Sequence, residues 1–133
     1  MKTSNPYLYF DGRARDAMSF YGAVFGAEAG MTPYADTPPD LYPGADPQHL
    51  MHSELHVPGL VLMACDVPPG MAFAPGGQVT ISITCDSRAE LDRLYAALSD
   101  GGEATTPPYD AFWGDRIGLL TDRFGIGWML SFR

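Results

Sequence analysis

Cysteine, positive charge and long apolar runs are all scarce in this chain. Only two of its 133 residues are cysteine, Cys65 and Cys85. Each ends an apolar run, so both read as buried free thiols rather than a disulfide, and two cysteines this far apart make no zinc motif. Lys and Arg number 8 against 16 Asp and Glu, giving a net charge of −8, and the basic residues are scattered. Nucleic acid rewards clustered Lys and Arg, so this pattern argues against a nucleic-acid partner and against anionic membranes. The acidity is read as serving solubility. No apolar stretch nears the roughly 20 residues that cross a bilayer. The opening Met1-Lys2-Thr3-Ser4-Asn5-Pro6 lacks the apolar segment of a secretory leader, so a cytoplasmic location is expected. Common catalytic signatures are missing too. There is no Gly-x-Ser-x-Gly, no phosphate-binding loop and no strand-linked Gly-x-Gly-x-x-Gly.

What the chain has is a repeated order of elements in a length suited to one domain, 1–133. The first half, about 1–68, reads as strand 6–11, helix 14–26, a Pro-rich excursion, then strands 51–57 and 60–66. The second half, about 77–133, reads as strand 78–85, helix 87–100, then strands 103–106, 116–121 and 126–132. A shift of 74 positions lays Phe20-Tyr21 on Leu94-Tyr95 and Val24 on Leu98. Leu91, Leu94, Tyr95 and Leu98 form the apolar stripe of the second helix, and Ala17, Phe20, Tyr21 and Val24 that of the first. Asp86 or Ser87 caps the second helix, with Glu90 three residues after Ser87, and Gly101-Gly102 ends it. Residues 31–49 hold Pro33, Pro38, Pro39, Pro43 and Pro47. That density of proline predicts a loop without regular structure, at a cavity mouth or a partner surface. Pro68 to Gly77 reads as the linker between halves.

Alternation along strands selects candidate site residues, because side chains on a strand repeat every two positions. His52, Glu54 and His56 share one face, opposite Met51, Ser53, Leu55 and Val57. Residues i and i+4 of a strand lie about 13 Å apart, so His52 and His56 are not expected to hold one metal together. Tyr7 and Tyr9 share a face of the first strand, and Thr80, Ser82 and Thr84 a face of the strand over 78–85. Met129 and Trp113 are expected to close the same space. The result is a pocket lining of aromatic bodies with a few hydroxyls. Asp115-Arg116 and Asp122-Arg123 read as pairs bracing a hairpin, with contact to an anionic ligand as the second role for Arg116.

Three stretches carry a resemblance. The closing segment, Trp113-Gly114-Asp115-Arg116 followed by Asp122-Arg123-Phe124-Gly125 and Met129-Leu130, resembles the last hairpin of the vicinal-oxygen-chelate superfamily of glyoxalase I, extradiol dioxygenases and bleomycin- and fosfomycin-resistance proteins. The opening, Tyr7-Leu8-Tyr9-Phe10-Asp11-Gly12 with Phe20-Tyr21 and Phe25-Gly26, is similar to its first strand and helix. The middle, Met51-His52-Ser53-Glu54-Leu55 and Leu62-Met63-Ala64-Cys65-Asp66, is similar to the PhnB-like branch. The resemblance implies an α+β fold of two βαβββ modules, forming a curved mixed sheet around a concave cavity with helices outside, and a homodimer. It also implies a metal ligand on each of four strands, of which only Glu54 matches. The other positions fall at Asn5 or Pro6, at Gln78 or Thr80, and at Met129. Amides and hydroxyls bind divalent metals weakly, a thioether prefers soft metals, and one strong ligand is too few for Zn or Fe. No metal or cofactor is therefore expected.

Two functions follow. The first is a metal-free small-molecule-binding protein of the glyoxalase/bleomycin-resistance kind. Its catalytic or anchoring residues would be Glu54 and His52, and Tyr7, Tyr9, Gln78, Thr80, Trp113, Arg116 and Met129 would touch the ligand. The second is a metal-dependent glyoxalase- or dioxygenase-like enzyme using Glu54 and His52. Between them lies a general-acid role for Glu54, if burial raises its pKa.

Overall fold

A computed structural model describes all 133 residues, Met1–Arg133. The chain folds as β1 (Tyr7–Phe10), α1 (Ala14–Phe25), β2 (Gly30–Pro33), a 3-10 turn (Tyr34–Asp36), β3 (Leu50–Val57), β4 (Leu60–Asp66), β5 (Thr80–Thr84), α2 (Arg88–Ser99), β6 (Glu103–Asp110), β7 (Arg116–Thr121) and β8 (Gly127–Phe132). It divides into two compact units, Met1–Ala74 and Pro75–Arg133. Each carries one helix and one open, mixed four-stranded sheet, an α+β fold. The helices keep the 74-residue echo seen in sequence. Adding 74 to Ala14 and Phe25 gives Arg88 and Ser99, the bounds of α2.

In the first unit the strand order is β1-β4-β3-β2. β1 runs parallel to β4, while β3 is antiparallel to both β4 and β2. Helix α1 buries Ala14, Ala17, Met18, Tyr21 and Val24 against Leu55, Leu62 and Ala64 of the sheet. Met18 joins the expected stripe, and Phe20 lies only half-buried at its margin. The start of α1 has no side-chain cap of its own. Asp66, at the end of β4 and 1 % exposed, supplies it. Its Oδ1 accepts the N–H groups of Gly12 at 2.8 Å and Ala14 at 3.0 Å, and its Oδ2 accepts that of Leu50 at 2.9 Å. One buried carboxylate thus satisfies helix-start donors and ties α1, β3 and β4 together.

The prolines of 31–49 do not abolish structure throughout. β2 and the 3-10 turn occupy the start of that stretch, contrary to the sequence expectation. β2 is an edge strand, and its register breaks between Thr32 and Pro33. Pro33 closes an edge strand, a position proline tolerates because a ladder donor can be spared there. The Tyr34 hydroxyl then anchors the loop by donating to the Asp66 carbonyl at 2.7 Å.

In the second unit the order is β5-β8-β7-β6, with β5 parallel to β8 and the other pairs antiparallel. Leu91, Leu94, Tyr95 and Leu98 of α2 are buried with Leu120, Trp128 and Leu130. The Ser87 hydroxyl caps the helix by accepting from Glu90 N–H, and the Glu90 carboxylate returns to Asp86 N–H at 2.9 Å. Gly118 is small for a reason of contact, because a Cβ there would lie 2.8 Å from the Tyr95 ring. The β7–β8 turn uses Gly125 at φ +89°, a conformation that favours glycine. Asp122, 3 % exposed, organises that turn. Its Oδ1 accepts from Phe124 and Ile126 N–H, and its Oδ2 accepts from the Trp128 indole at 2.8 Å. β6 extends beyond its expected end through Pro107 and Pro108 to Asp110, with two register breaks on the way. No helix is long and apolar enough to cross a membrane. Cys65 and Cys85 are both buried and free.

Candidate functional site

Pairing register sorts the first sheet into two faces. Ser53, Leu55, Leu62 and Ala64 face α1. The opposite face carries Tyr7 and Tyr9 from β1, Met63 and Cys65 from β4, His52, Glu54 and His56 from β3, and Thr32 from β2. Tyr7, Met63 and Glu54 lie in one cross-strand row, since Tyr7 opposes Met63 and Met63 opposes Glu54. Opposite Glu54 on β2 stands Gly30, so no side chain crowds that flank of the carboxylate.

A chain of hydrogen bonds runs across this face. The Tyr7 hydroxyl lies 3.0 Å from His52 Nδ1. His52 Nε2 lies 2.8 Å from Glu54 Oε1, and His56 Nε2 lies 2.7 Å from Glu54 Oε2. Glu54 is half-exposed, at 42 %. Hydrogen bonds from His56 and then His52 hold its carboxyl below the usual value. It is therefore ionised at neutral pH, and both imidazoles present Nε2–H to it. With His52 Nε2 turned to Glu54, its Nδ1 is placed to accept from the Tyr7 hydroxyl. Burial holds the Tyr7 phenol up, with the neighbouring Cys65 thiol adding to the effect, so the hydroxyl stays a donor. Burial raises Cys65 as well. The rings of Tyr7 and Tyr9 lie 5.2 Å apart, and that of His52 is 5.6 Å from Tyr7.

One expectation about Glu54 is corrected here. Its pKa is lowered rather than raised, which removes the general-acid role, because the carboxylate is open to solvent and doubly hydrogen-bonded rather than buried. His52 and His56 share Glu54 as a hydrogen-bond partner, which the expectation that they do not hold one metal together leaves open. The strand spacing separates their backbones, but the two rings lean inward from either side of the intervening residue. The alternation that selects His52, Glu54 and His56 on β3 extends on β4 to Met63, which pairs with Glu54 and is a candidate functional residue that sequence alternation on β3 alone does not select.

The remaining candidates belong to the second unit. Thr80 lies opposite Gly127, and Ser82 opposite Met129 and then Leu119, all on the face away from α2. Gln78 precedes β5, is exposed, and is no part of the ladder. Arg116 sits on the α2 side of β7, in phase with Gly118 and Leu120, so it does not share a face with Thr80 and Met129. Its guanidinium holds Asp92 of α2 at 2.9 Å and Asp110 of β6 at 3.4 Å. Bracing is thus its observed contact, but not with adjacent Asp115. Asp115 takes the Trp113 indole at 2.9 Å and Arg133 at 2.8 Å. Arg123 likewise reaches Asp100, at 3.1 Å, while its neighbour Asp122 holds the turn and Trp128. Trp113 lies at the β6–β7 hairpin, beside Phe112, which is 98 % exposed.

The donor set does not suit a divalent metal. Both Glu54 oxygens are engaged by imidazoles, Tyr7 rather than Asn5 or Pro6 opens β1, and no group of three or more His, Cys, Asp and Glu side chains is arranged to hold an ion.

A family profile described as 3-demethylubiquinone-9 3-methyltransferase matches residues 2–131. The chain belongs to that family. It is 36% identical to protein PA1353 from Pseudomonas aeruginosa, whose crystal structure aligns over 100% of this chain and 98% of that one at a TM-score of 0.89. The PhnB protein of Bacillus cereus is 23% identical, over 99% and 100%, at 0.76. A glyoxalase/bleomycin resistance protein from Albidiferax ferrireducens shares the fold at 16% identity, over 100% and 99%, at 0.66.

Proposed function

We propose that this chain binds a small, uncharged, largely aromatic organic molecule on the open face of the β1-β4-β3-β2 sheet, without a metal. The observation that carries the reading is the hydrogen-bonded row Tyr7–His52–Glu54–His56, set beside Tyr9 and Met63. The rings and the thioether offer apolar contact, and the row offers oriented donors and acceptors. An ionised Glu54 on a chain of net charge −8 disfavours an anionic ligand. The metal-dependent alternative through Glu54 and His52 is weaker, since a metal would have to displace the two imidazoles and find further ligands.

The family description names a methyltransferase. This chain has no strand-linked Gly-x-Gly-x-x-Gly to cradle a nucleotide-type cofactor. A cytoplasmic location and a homodimer complete the proposal.

The test is calorimetric titration of the parent, Glu54→Gln and Tyr7→Phe with a panel of neutral aromatic ketones and phenols and their carboxylate analogues. A ligand bound by the parent and weakened at least tenfold by either substitution supports the reading. A ligand bound equally by all three, or a panel bound only as carboxylates, refutes it.

A further inference from the structure

The Pro-rich stretch before β3 and the segment after β4 take no part in the row on the first sheet, yet they meet. Together with the end of β1 they wall a cavity of about 320 Å³, near the lower limit for small-molecule sites. The two segments touch at Gly44, where φ is +81° and a Cβ would lie 3.8 Å from Pro69 Cγ. Tyr34 forms one apolar wall. Its hydroxyl is occupied by the Asp66 carbonyl at 2.7 Å, and its ring meets Tyr42 edge-on with centroids 5.0 Å apart. Met71 and Phe73 line the same cavity, and both are exposed, so an apolar occupant would remove their surface from water.

The charge on this lining has one sign. Asp11 and Asp46 belong to it, and no Lys or Arg does. Asp11 makes no hydrogen bond or ion pair. Asp46 Oδ1 accepts the Gln48 N–H at 2.9 Å, while Oδ2 has only His49 Nε2, at 3.6 Å. Gly12, at φ +90°, lets that imidazole lie against the chain beside Asp11, since a Cβ there would be 3.2 Å from the ring. Two carboxylates thus keep oxygens for a cation next to apolar walls, on a chain of net charge −8 whose field draws cations. A bare metal ion is a poor fit, because these groups are not arranged to hold one and apolar walls supply no ligands. We propose that this cavity is a second site, for a free organic ammonium ion with an apolar body. The ammonium donates to Asp11 and Asp46, and the body lies against Tyr34, Met71 and Phe73, whose rings also favour a cation. None of these residues belongs to the Tyr7–His52–Glu54–His56 row, so the proposal does not rest on the reading of the sheet face.

The probe is 2-phenylethylammonium, with 2-phenylethanol as its neutral counterpart and 3-phenylpropionate as its anionic one. Each is titrated into the full chain at neutral pH and followed by NMR at the Met71 methyl and the Phe73 ring. The ammonium is expected to give saturable shifts with a Kd of about 1 mM or tighter, an ordinary strength for a probe of this size. The alcohol and the carboxylate should bind about tenfold more weakly or not at all. Asp11→Asn alters an exposed side chain without partners and should weaken the ammonium about threefold. Asp46→Asn keeps an oxygen for the Gln48 N–H. The two substitutions together should weaken the ammonium about tenfold and erase its advantage over the alcohol. Added salt should weaken the ammonium as well. Equal binding of ammonium and alcohol, or an ammonium affinity unchanged in the double variant, overturns the proposal. So does a titration without saturation below about 10 mM. Shifts centred on Tyr7 and Met63 in place of Met71 and Phe73 overturn it too, and put the cation on the sheet face.

Discussion

At the residue scale, the shared face of His52, Glu54 and His56 was legible and its surroundings were not. Alternation places His52, Glu54 and His56 together because the pleat has a period of two. It says nothing of rotamers, and those decide that both rings turn toward Glu54. A buried, unpaired carboxylate and an exposed, doubly hydrogen-bonded one give opposite pKa shifts, and only the latter is present. The consequence for stability has a definite sign. Ionised Glu54 favours the folded state above its ordinary value of 4.5, and that contribution fades as pH falls through the lower folded value. Comparing melting temperatures of the parent and Glu54→Gln from pH 3 to 7 should show a gap near neutrality that closes toward acid. A gap independent of pH contradicts the arrangement. Adjacent Asp-Arg pairs misled for a related reason. Asp115 lies before β7 and is taken by Trp113 and Arg133, so Arg116 pairs across elements with Asp92 and Asp110.

At the scale of elements, periodicity carried the helices. The α2 stripe and its Ser87–Glu90 cap appear as expected, and the 74-residue echo recurs in the helix bounds. β2 was hidden because a short edge strand ending in proline carries little pattern. Asp66 was hidden for another reason. Its partners, Gly12, Ala14 and Leu50, are remote in sequence, so no local window shows that one carboxylate joins three elements. Asp66→Asn replaces an acceptor oxygen with a donor facing backbone N–H groups. It should cost about 2–3 kcal/mol, as for buried hydrogen bonds to a charged group, read by urea unfolding. An unchanged midpoint would show that the helix start does not depend on Asp66.

At the scale of the molecule, the family resemblance and the α+β fold were legible because the two closing strands and their turn hold a distinctive set of residues. The reaction was not, since one scaffold hosts several chemistries. Each sheet ends in two edge strands, β1 and β2 in one, β5 and β6 in the other, and exposed edges invite pairing. Light scattering at micromolar concentration should give twice 14.4 kDa; a monomer mass rules out the homodimer. The central claim is that the open face of the first sheet takes its ligand without metal. The most direct measurement is an NMR titration of exhaustively chelated protein with 2-tetralone, following the Met63 methyl and the Tyr7 and His52 ring signals. The account predicts saturable shifts at these three positions that do not change when Zn or Mn is added back. Shifts that appear only after metal is restored, or that leave these residues untouched, would contradict it.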